Sequence, residues 1–289
     1  MVIFKKTADL QQYIASERIA GRNIGFVPTL GALHAGHISL INAARNNKDL
    51  VVCSIFVNPT QFNDKSDYEK YPVTVNEDIG MLAEAGCDVL FLPGIEEIYP
   101  KGTDQSPVFD FGYLDTILEG AQRPGHFKGV GQVVSLLFEA VHPKNVYMGQ
   151  KDYQQCMVIK RLLEITGLQD MITLHICPTV READGLAMSS RNRRLTEPQR
   201  MLAGCIYQCL VSIESKAGTA TFEVVQKECT DLLTAKGFAP EYVVLANADD
   251  LTLLNNYTPG IPMVALIAVR LGDVRLIDNL VLNNTSAQA

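Results

Sequence analysis

The sequence lacks four features that would place it in common classes of protein. It has no basic excess, since 25 Lys and Arg stand against 32 Asp and Glu and the formal net charge is -7. A protein that mainly binds nucleic-acid phosphates is therefore not expected. The longest strongly apolar run, residues 261–269, is far shorter than the roughly 20 residues that cross a membrane.

The start of the chain also lacks the basic-then-apolar layout of a secretory signal. We therefore expect a cytoplasmic protein with neither a membrane nor a nucleic acid as partner. The chain has 7 cysteines, an odd number, and no CxxC pair that would indicate zinc binding or redox chemistry. We interpret them as reduced thiols that serve as small apolar residues, and we identify no set of metal ligands.

What is present is ordinary globular composition, with 47% hydrophobic and 20% charged residues over 289 positions. Short β-rich runs alternate with helical apolar stripes through the first part of the chain. This alternation predicts an α/β fold with a doubly wound parallel sheet. The predicted strands cover residues 23–27, 50–57, 88–92, 145–148 and 172–177.

The pattern changes after residue 178. A capping box at Thr196 and Gln199 predicts one long helix that carries Leu202, Ile206, Leu210 and Ile213 inward, and strand-like runs with a hairpin at 271–273 follow. We therefore expect two domains. Residues 1–177 would form the larger domain, and residues 178–289 a smaller α+β domain that closes over it.

The first predicted strand leads into Pro28-Thr-Leu-Gly-Ala-Leu-His34-Ala-Gly-His37, at the start of a helix. Ligands of open α/β sheets collect at the carboxyl ends of strands, where a helix N-terminus offers free N–H groups to phosphate. Histidines three residues apart share one helix face, so His34 and His37 can contact the same polyphosphate. They could instead only cap the helix, or bind zinc together with a third ligand.

Two later segments carry groups of the same kind. Met188-Ser189-Ser190-Arg191 combines hydroxyls with a guanidinium in a glycine-containing loop, which suits a leaving pyrophosphate. Gly149-Gln150-Lys151-Asp152 follows another strand and places Lys151 within reach of phosphate. Each segment also has an ordinary interpretation, as a solvated loop for the first and as a helix N-cap at Asp152 for the second.

Polar groups that suit a small substrate come from two further segments. Asn58-Pro-Thr-Gln61 follows the second predicted strand, and Glu119-Gly-Ala-Gln-Arg123-Pro-Gly-His126 is a glycine-rich loop of the type that covers substrates. Gln155 begins the helix after Lys151. We take Gln61, Gln155, Asn58 and Arg123 as candidate substrate-binding residues.

Taken in order, these blocks resemble the pantothenate synthetase family, within the HxGH nucleotidyltransferase superfamily related to class I aminoacyl-tRNA synthetases. The resemblance is carried by PTLGALHAGH, SIFVNPTQF, RPGHFKGV, GQKDYQQ and PTVREADGLAMSSRN, between about residues 24 and 192. It implies a Rossmann-like sheet and a ligase that adenylates pantoate with ATP. The amine of β-alanine then displaces AMP to give pantothenate.

The resemblance also implies roles for individual residues. The residues that it implies in catalysis are His34, His37, Lys151, Ser189, Ser190 and Arg191. Among these, His37 is the implied proton donor. Gln61 and Gln155 would hold pantoate, Mg²⁺ would accompany the nucleotide, and the enzyme would be a homodimer. The implied ATP-binding set is Leu30, Gly31, Ala32, Leu33, His34, Ala35, Gly36, His37, Gly149, Gln150, Lys151, Asp152, Val180, Met188, Ser189, Ser190 and Arg191.

The chain departs from the family pattern at a few positions. Leu30 and Gln150 replace a common Met and Glu, and both changes look tolerable. Gln132 and Leu136 stand in a stretch where the family has a threonine and a nearby lysine, and Lys128 stands where an acid is frequent. These departures leave the handling of β-alanine near residues 123–129 open.

Two other functions remain open at this point. A nucleotidyltransferase of the same superfamily would keep the nucleotide on its product, but a phosphorylated substrate would require more fixed cations than Gln61 and Gln155 supply. A non-catalytic nucleotide- or RNA-binding module would keep the fold alone. The acidic balance and the missing basic stripe disfavour RNA.

Overall fold

The structure is a computed structural model that describes residues 1–62, 68, 69 and 71–282. The chain forms two compact units. The first comprises Met1–Gly149 and Gln154–Pro178, and the second comprises Gln150–Tyr153 and the chain from Thr179 onward. Gln150–Tyr153, which we expected within the first domain, thus belong to the second unit.

The first unit is built on a six-stranded sheet in which all neighbouring strands are parallel, in the order β1-β4-β3-β2-β5-β6. β3 is buried along its whole length, as its continuous apolar sequence requires in a sheet covered on both faces. The expected α/β class is confirmed. The strands are β1 Val2–Phe4, β2 Ile24–Thr29, β3 Leu50–Ile55, β4 Val89–Phe91, β5 Asn145–Gly149 and β6 Thr173–Cys177.

Helices connect these strands, and their ends follow local sequence signals. Gly86 adopts the left-handed conformation, with φ +74°, just after the helix that precedes β4. The helix before β5 has apolar residues on most of its surface and is buried along most of its length. The helices are α1 Thr7–Ile19, α2 Ala35–Asn46, α3 Val75–Glu84, α4 Ile95–Ile98, α5 Leu118–Gln122, α6 His126–Val141 and α7 Tyr153–Ile165.

The strand order reverses beside β2. From β2 the chain continues through β3 to β4 on one side, and it then returns to place β5 on the other side of β2. In open α/β sheets, ligands bind at such a switch point, beyond the carboxyl ends of the two central strands. In this chain those ends are Thr29 and Gly149.

The second unit is an α+β structure with its own core. Its antiparallel sheet has the order β10-β9-β7-β8, and one apolar cluster joins the sheet to three helices. The predicted hairpin is confirmed, because β9 and β10 pair at Leu271 and Val274. The elements are α8 Glu197–Ala203, α9 Cys205–Ser215, α10 Phe222–Ala235, β7 Ala239–Asn247, β8 Leu253–Leu254, β9 Met263–Leu271 and β10 Val274–Leu282.

The predicted capping box at Thr196 and Gln199 is present at the start of α8. The prediction of one long helix is wrong, because the helix is divided at Gly204 into α8 and α9. A Cβ atom at Gly204 would lie 2.8 Å from the carbonyl oxygen of Asp184. Close approach of another backbone segment therefore requires glycine at the division. No helix in the described part of the chain combines the length and apolar character of a membrane span.

Candidate nucleotide and substrate site

The loop between β2 and α2 is held by side chains from the interior of the first unit. The hydroxyl of Thr29 donates to the carbonyl of Ser54 and accepts from the amide of Gly31, at 2.7 and 3.2 Å. The buried Asp78 carboxylate accepts from the amides of Ala32 and Leu33, at 2.9 and 2.8 Å. The loop that enters the HxGH motif is therefore internally anchored.

His34 and His37 form a capping box at the start of α2. His34 Nδ1 accepts from the amide of Gly36 at 3.1 Å, and His37 Nδ1 accepts from the amide of His34 at 3.3 Å. The ring centroids are 4.1 Å apart. Because Nδ1 is the acceptor in both rings, each neutral imidazole carries its hydrogen on Nε2. The pair is thus a set of two adjacent Nε2–H donors.

The same bonds correct one expectation from the sequence. We expected free backbone N–H groups at this helix N-terminus, but the amides of Gly31, Ala32, Leu33, His34 and Gly36 all donate to side chains. The amide of His37 donates to the carbonyl of His34 at 2.8 Å. The donors that this motif can offer to phosphate are therefore mainly the imidazoles.

Asn58 and Gln61 lie in the turn after β3, and both are buried. Asn58 Nδ2 donates to Gln61 Oε1 at 3.3 Å and to the carbonyl of Gly129 at 3.1 Å, while its Oδ1 accepts from the Tyr99 hydroxyl at 2.7 Å. Both ends of the Asn58 amide are thus bonded inside the protein. This arrangement orients the Gln61 carboxamide so that its oxygen faces Asn58.

His126 links Gln61 to Arg123. Its Nδ1 lies 2.8 Å from the carbonyl of Gln61, and its Nε2 lies 3.1 Å from Arg123 Nη1. A carbonyl can only accept and a guanidinium can only donate, so His126 is a neutral ring with its hydrogen on Nδ1. Arg123 and Gln61 are thereby brought into one bonded network. Sequence reasoning had placed His126 in this loop without a role.

α6 approaches this turn so closely that it requires a glycine. A Cβ atom at Gly129 would lie 2.3 Å from the carbonyl oxygen of Thr60. Lys128 and Gln132, two of the departures from the family pattern, line a cavity of about 250 Å³ together with Thr60 and Gly129. These two departures therefore lie beside the turn that carries Gln61.

The two glutamines at the start of α7 differ in their surroundings. Gln154 is buried and holds the segment before α5, since its Oε1 accepts from the amide of Glu119 at 2.9 Å and its Nε2 donates to the carbonyl of Leu114 at 2.8 Å. Gln155 is half-buried. Gln154 therefore has a structural role, and Gln155 remains the candidate for substrate binding.

In the second unit, Asn279 of β10 anchors the segment that carries Lys151. Asn279 Nδ2 donates to the carbonyls of Gln150 and Lys151, both at 2.9 Å, and Asn279 Oδ1 accepts from Gln150 Nε2 at 3.3 Å. Lys151 Nζ lies 3.5 Å from Asp152 Oδ1. This anchoring places Gln150, Lys151 and Asp152 in the same unit as the Ser-Ser-Arg loop.

An ion pair between Arg181 and Asp278 supports that loop. The Arg181 guanidinium contacts both carboxylate oxygens, at 2.6 and 3.1 Å, and it stacks on the Tyr207 ring with 4.0 Å between Cζ and the centroid. It also donates to the carbonyl of Asn279 at 3.1 Å. Burial raises the pKa of Asp278, and the positive charges of Arg181 and Lys151 oppose that rise.

The segment from Val180 to Met188 is a short hairpin. The amide of Met188 donates to the carbonyl of Val180 at 2.9 Å, and Arg181 pairs with Ala187. A 3₁₀ helix, Ser190–Arg194, follows, and its N-cap Ser189 accepts from the amide of Arg191 at 3.3 Å. The hairpin is thus followed directly by the 3₁₀ helix. Together they carry Val180, Met188, Ser189 and Arg191.

Sequence reasoning missed the residues that support the predicted set. The motifs did not identify Asp78, Arg181, Asp278 or Asn279, although Arg181 lies inside one of the blocks that carry the resemblance. No short motif marks the others, because they are distant along the chain from the loops that they hold. The described residues contain no cluster of three or more His, Cys, Asp or Glu side chains able to hold a metal ion.

The open parallel sheet, with a histidine pair at its switch point, places the chain in the class of α/β nucleotide-binding enzymes. A family model described as pantoate-beta-alanine ligase matches residues 2–281. The chain belongs to the pantoate-beta-alanine ligase family.

Individual relatives agree with this assignment. Pantothenate synthetases from Porphyromonas gingivalis and Moorella thermoacetica are each 44% identical to the chain. The first match covers 97% of this chain and the second 98%, and each covers 99% of the relative. The crystal structure of pantothenate synthetase from Thermus thermophilus has a TM-score of 0.87 at 38% identity, over 97% of this chain and 99% of that one.

A pantoate-beta-alanine ligase from Francisella tularensis, solved with β-γ ATP and β-alanine, has a TM-score of 0.81 at 38% identity and covers 97% of both chains. The present chain is an ATP-dependent pantoate–β-alanine ligase. The alternative of a nucleotidyltransferase with a nucleotidylated product is not favoured.

The Arg181–Asp278 pair yields a test against a second, exposed pair of the same type, Arg200–Asp184. The Asp278 side chain is 2% exposed, whereas Asp184 is 38% exposed. Arg181→Ala leaves a buried carboxyl without its partner, which costs about 3–5 kcal/mol, whereas an exposed pair such as Arg200–Asp184 contributes at most about 1 kcal/mol. Urea unfolding of Arg181→Ala and Arg200→Ala measures the difference. Equal losses of stability would contradict the importance of the buried pair.

Proposed function

We propose that this ligase activates pantoate as an enzyme-bound pantoyl adenylate, with the His34–His37 pair as the principal phosphate contact of the first unit. The observation that carries the proposal is the capping box formed by the two residues, in which Nδ1 of each ring accepts from a backbone amide. This capping assigns the hydrogen to Nε2 of each neutral ring. The enzyme thus has two donors at the switch point of the sheet.

The reaction consists of two displacements. A pantoate carboxylate oxygen attacks the α-phosphorus of ATP, the bond from that phosphorus to the bridging oxygen breaks, and pyrophosphate leaves. The neutral amine of β-alanine then attacks the acyl carbon, AMP leaves with the carboxylate oxygen, and the amine loses a proton. Adenylation divides a difficult acyl transfer into two easier steps without a covalent enzyme intermediate.

The site residues then have distinct roles in the proposal. His37 and His34 donate to the phosphates, with His37 as the proton donor to the leaving pyrophosphate, and Lys151 and Arg191 neutralise developing charge. Ser189 and Ser190 act as hydrogen-bond donors, not as nucleophiles. Gln61 and Gln155 bind pantoate. The remaining ATP contacts are assigned to Leu30–Leu33, Ala35, Gly36, Gly149, Gln150, Asp152, Val180 and Met188.

Asn58 and Arg123 act less directly than the sequence predicted. We propose that Asn58 orients Gln61, because its own amide is bonded to Gln61, Gly129 and Tyr99. Arg123 acts on the same turn through its contact with His126. Both residues would influence the pantoate site by fixing Gln61.

Mg²⁺ bound with the nucleotide also belongs to this proposal. Since the described residues offer no cluster of three acidic or other metal-binding side chains, the phosphate oxygens would supply most of its ligands. When bound, Mg²⁺ would offset phosphate charge during adenylation. Binding of ATP measured by calorimetry with and without Mg²⁺ tests this assignment, and equal affinities would contradict it.

Assembly is proposed on the resemblance, and motion on the division of the chain into two units. We propose that the protein is cytoplasmic and forms a homodimer. Sedimentation equilibrium tests the dimer, and a mass near the 31.8 kDa of one chain would contradict it. We also propose that the second unit moves on nucleotide binding and so excludes water from the reactive anhydride. Identical small-angle scattering with and without ATP and pantoate would contradict that motion.

Isotope transfer tests the reaction path. When pantoate labelled with ¹⁸O in its carboxylate is converted with ATP and β-alanine, we expect one labelled oxygen in AMP, detected by mass spectrometry. Pantoate-dependent exchange of labelled pyrophosphate into ATP is expected without β-alanine. Formation of ADP, or AMP without label, would exclude the adenylate.

Two substitutions separate the capping role of the histidines from their donor role. Asn is a favourable N-cap and Gln at the third helical position completes a capping box, so His34→Asn and His37→Gln should retain the stability of α2. We expect pyrophosphate exchange to fall by about 10²–10³-fold in each variant, the typical effect of losing a donor to developing charge. Unchanged exchange in both variants would refute the phosphate role.

A further inference from the structure

Asp78 is a buried carboxylate directly behind the loop that enters the histidine pair. It lies in α3 and is 1% exposed. Its Oδ2 accepts from the amide of Ala32 at 2.9 Å, and its Oδ1 accepts from the amide of Leu33 at 2.8 Å and from the Thr74 hydroxyl at 3.1 Å. Three donors thus converge on one carboxylate from two separate segments.

The loop that Asp78 holds has an unusual backbone. Gly31 and Ala32 both have positive φ, at +82° and +50°. A left-handed alanine is unfavourable and persists only where its surroundings impose it. The two amides bonded to Asp78 belong to Ala32 and the residue that follows it, so Asp78 acts at the position where the loop is strained. Space is also limited, because a Cβ atom at Gly31 would lie 3.1 Å from Asp78 Oδ2.

This contact fixes the position of the imidazoles. Leu33 immediately precedes His34, whose amide donates to His37 Nδ1. Anchoring the amides of Ala32 and Leu33 determines where the chain enters α2, and the entry determines the orientation of the capped pair. The chain of contacts therefore runs from the Asp78 carboxylate through two amides to both rings.

We propose that Asp78 is a positioning residue for the adenylation step, which it serves by holding the β2–α2 loop so that His34 and His37 meet the phosphates of ATP. The proposal rests on the phosphate role assigned above to the histidine pair. Asp78 itself does not contact substrate. Its effect is expected in the half-reaction that uses ATP.

Asp78→Asn is the most direct test, because the change preserves size but replaces one acceptor oxygen by an NH₂ group. One of the two loop amides then faces a donor instead of an acceptor. We expect pyrophosphate exchange to fall by about 10–100-fold, mainly through a higher KM for ATP, if the donor pair is displaced from the phosphates. The matched control is Asp88→Asn, which alters a carboxylate that accepts from the amide of Val51 at 2.9 Å and should leave exchange within about twofold, as for surface changes.

A second measurement separates positioning from general loss of structure. Synthetic pantoyl adenylate and β-alanine bypass the step that requires ATP phosphates. We expect the Asp78→Asn variant to make pantothenate from them at a rate within about threefold of the unmodified enzyme, because amine attack does not use the phosphate donors. Equal losses in both half-reactions, or no loss in exchange, would overturn the proposal.

A milder variant covers the case in which Asp78→Asn does not fold. Replacing Leu33 by its α-hydroxy acid removes one N–H and leaves every side chain intact. Exchange should fall by about three- to tenfold while the second half-reaction is retained, in line with the loss of a single hydrogen bond to a charged group. Unchanged exchange would count against Asp78. Label transfer to AMP by the unmodified enzyme tests the adenylate independently, so failure of the reaction path and failure of the Asp78 role are distinguishable.

Discussion

Parallel pairing of β2 with β3 on one side and β5 on the other is the constraint on which the site of the first unit depends. Parallel strands end at the same edge of a sheet, so the segments that follow these three strands emerge there together. The histidine pair follows β2, the Gln61 turn follows β3 and Gly149 ends β5. Residues more than a hundred positions apart in sequence are thereby assigned to one edge of the fold.

Hydrogen bonds inside the protein then refine what the topology provides. The turn after β3 does not simply project polar groups toward a ligand, because Asn58 is fully buried and bonded to Gln61, Gly129 and Tyr99. The network continues through His126 to Arg123. Fixed polar groups lose less freedom on binding than mobile ones, so such a network favours the positioning on which this reaction depends.

Much of this organisation could be predicted from the sequence, because its signals are local. Alternating strand and helix patterns indicate the parallel sheet, and a capping box marks the start of α8. Three features could not be predicted in the same way. They are the division of the helix at Gly204, the loop contacts of Asp78 and the assignment of Gln150–Tyr153 to the second unit. Each depends on a distant segment, namely the carbonyl of Asp184, the loop amides and the side chain of Asn279. Sequence motifs therefore point to candidate functional side chains, whereas the groups that hold those side chains become apparent only in the folded structure.

The internal bonding of the HxGH loop also bears on how phosphate is recognised. In many nucleotide-binding proteins, backbone amides at a helix N-terminus hold the phosphates. Here the corresponding amides are bonded to Thr29, Asp78, His34 and His37. The proposed function therefore assigns the donor role to the imidazole side chains. A backbone amide cannot release its hydrogen, whereas an imidazole can transfer a proton as charge develops on the leaving group. For a reaction that expels pyrophosphate, side-chain donors thus combine binding with a capacity for proton transfer that a backbone site lacks.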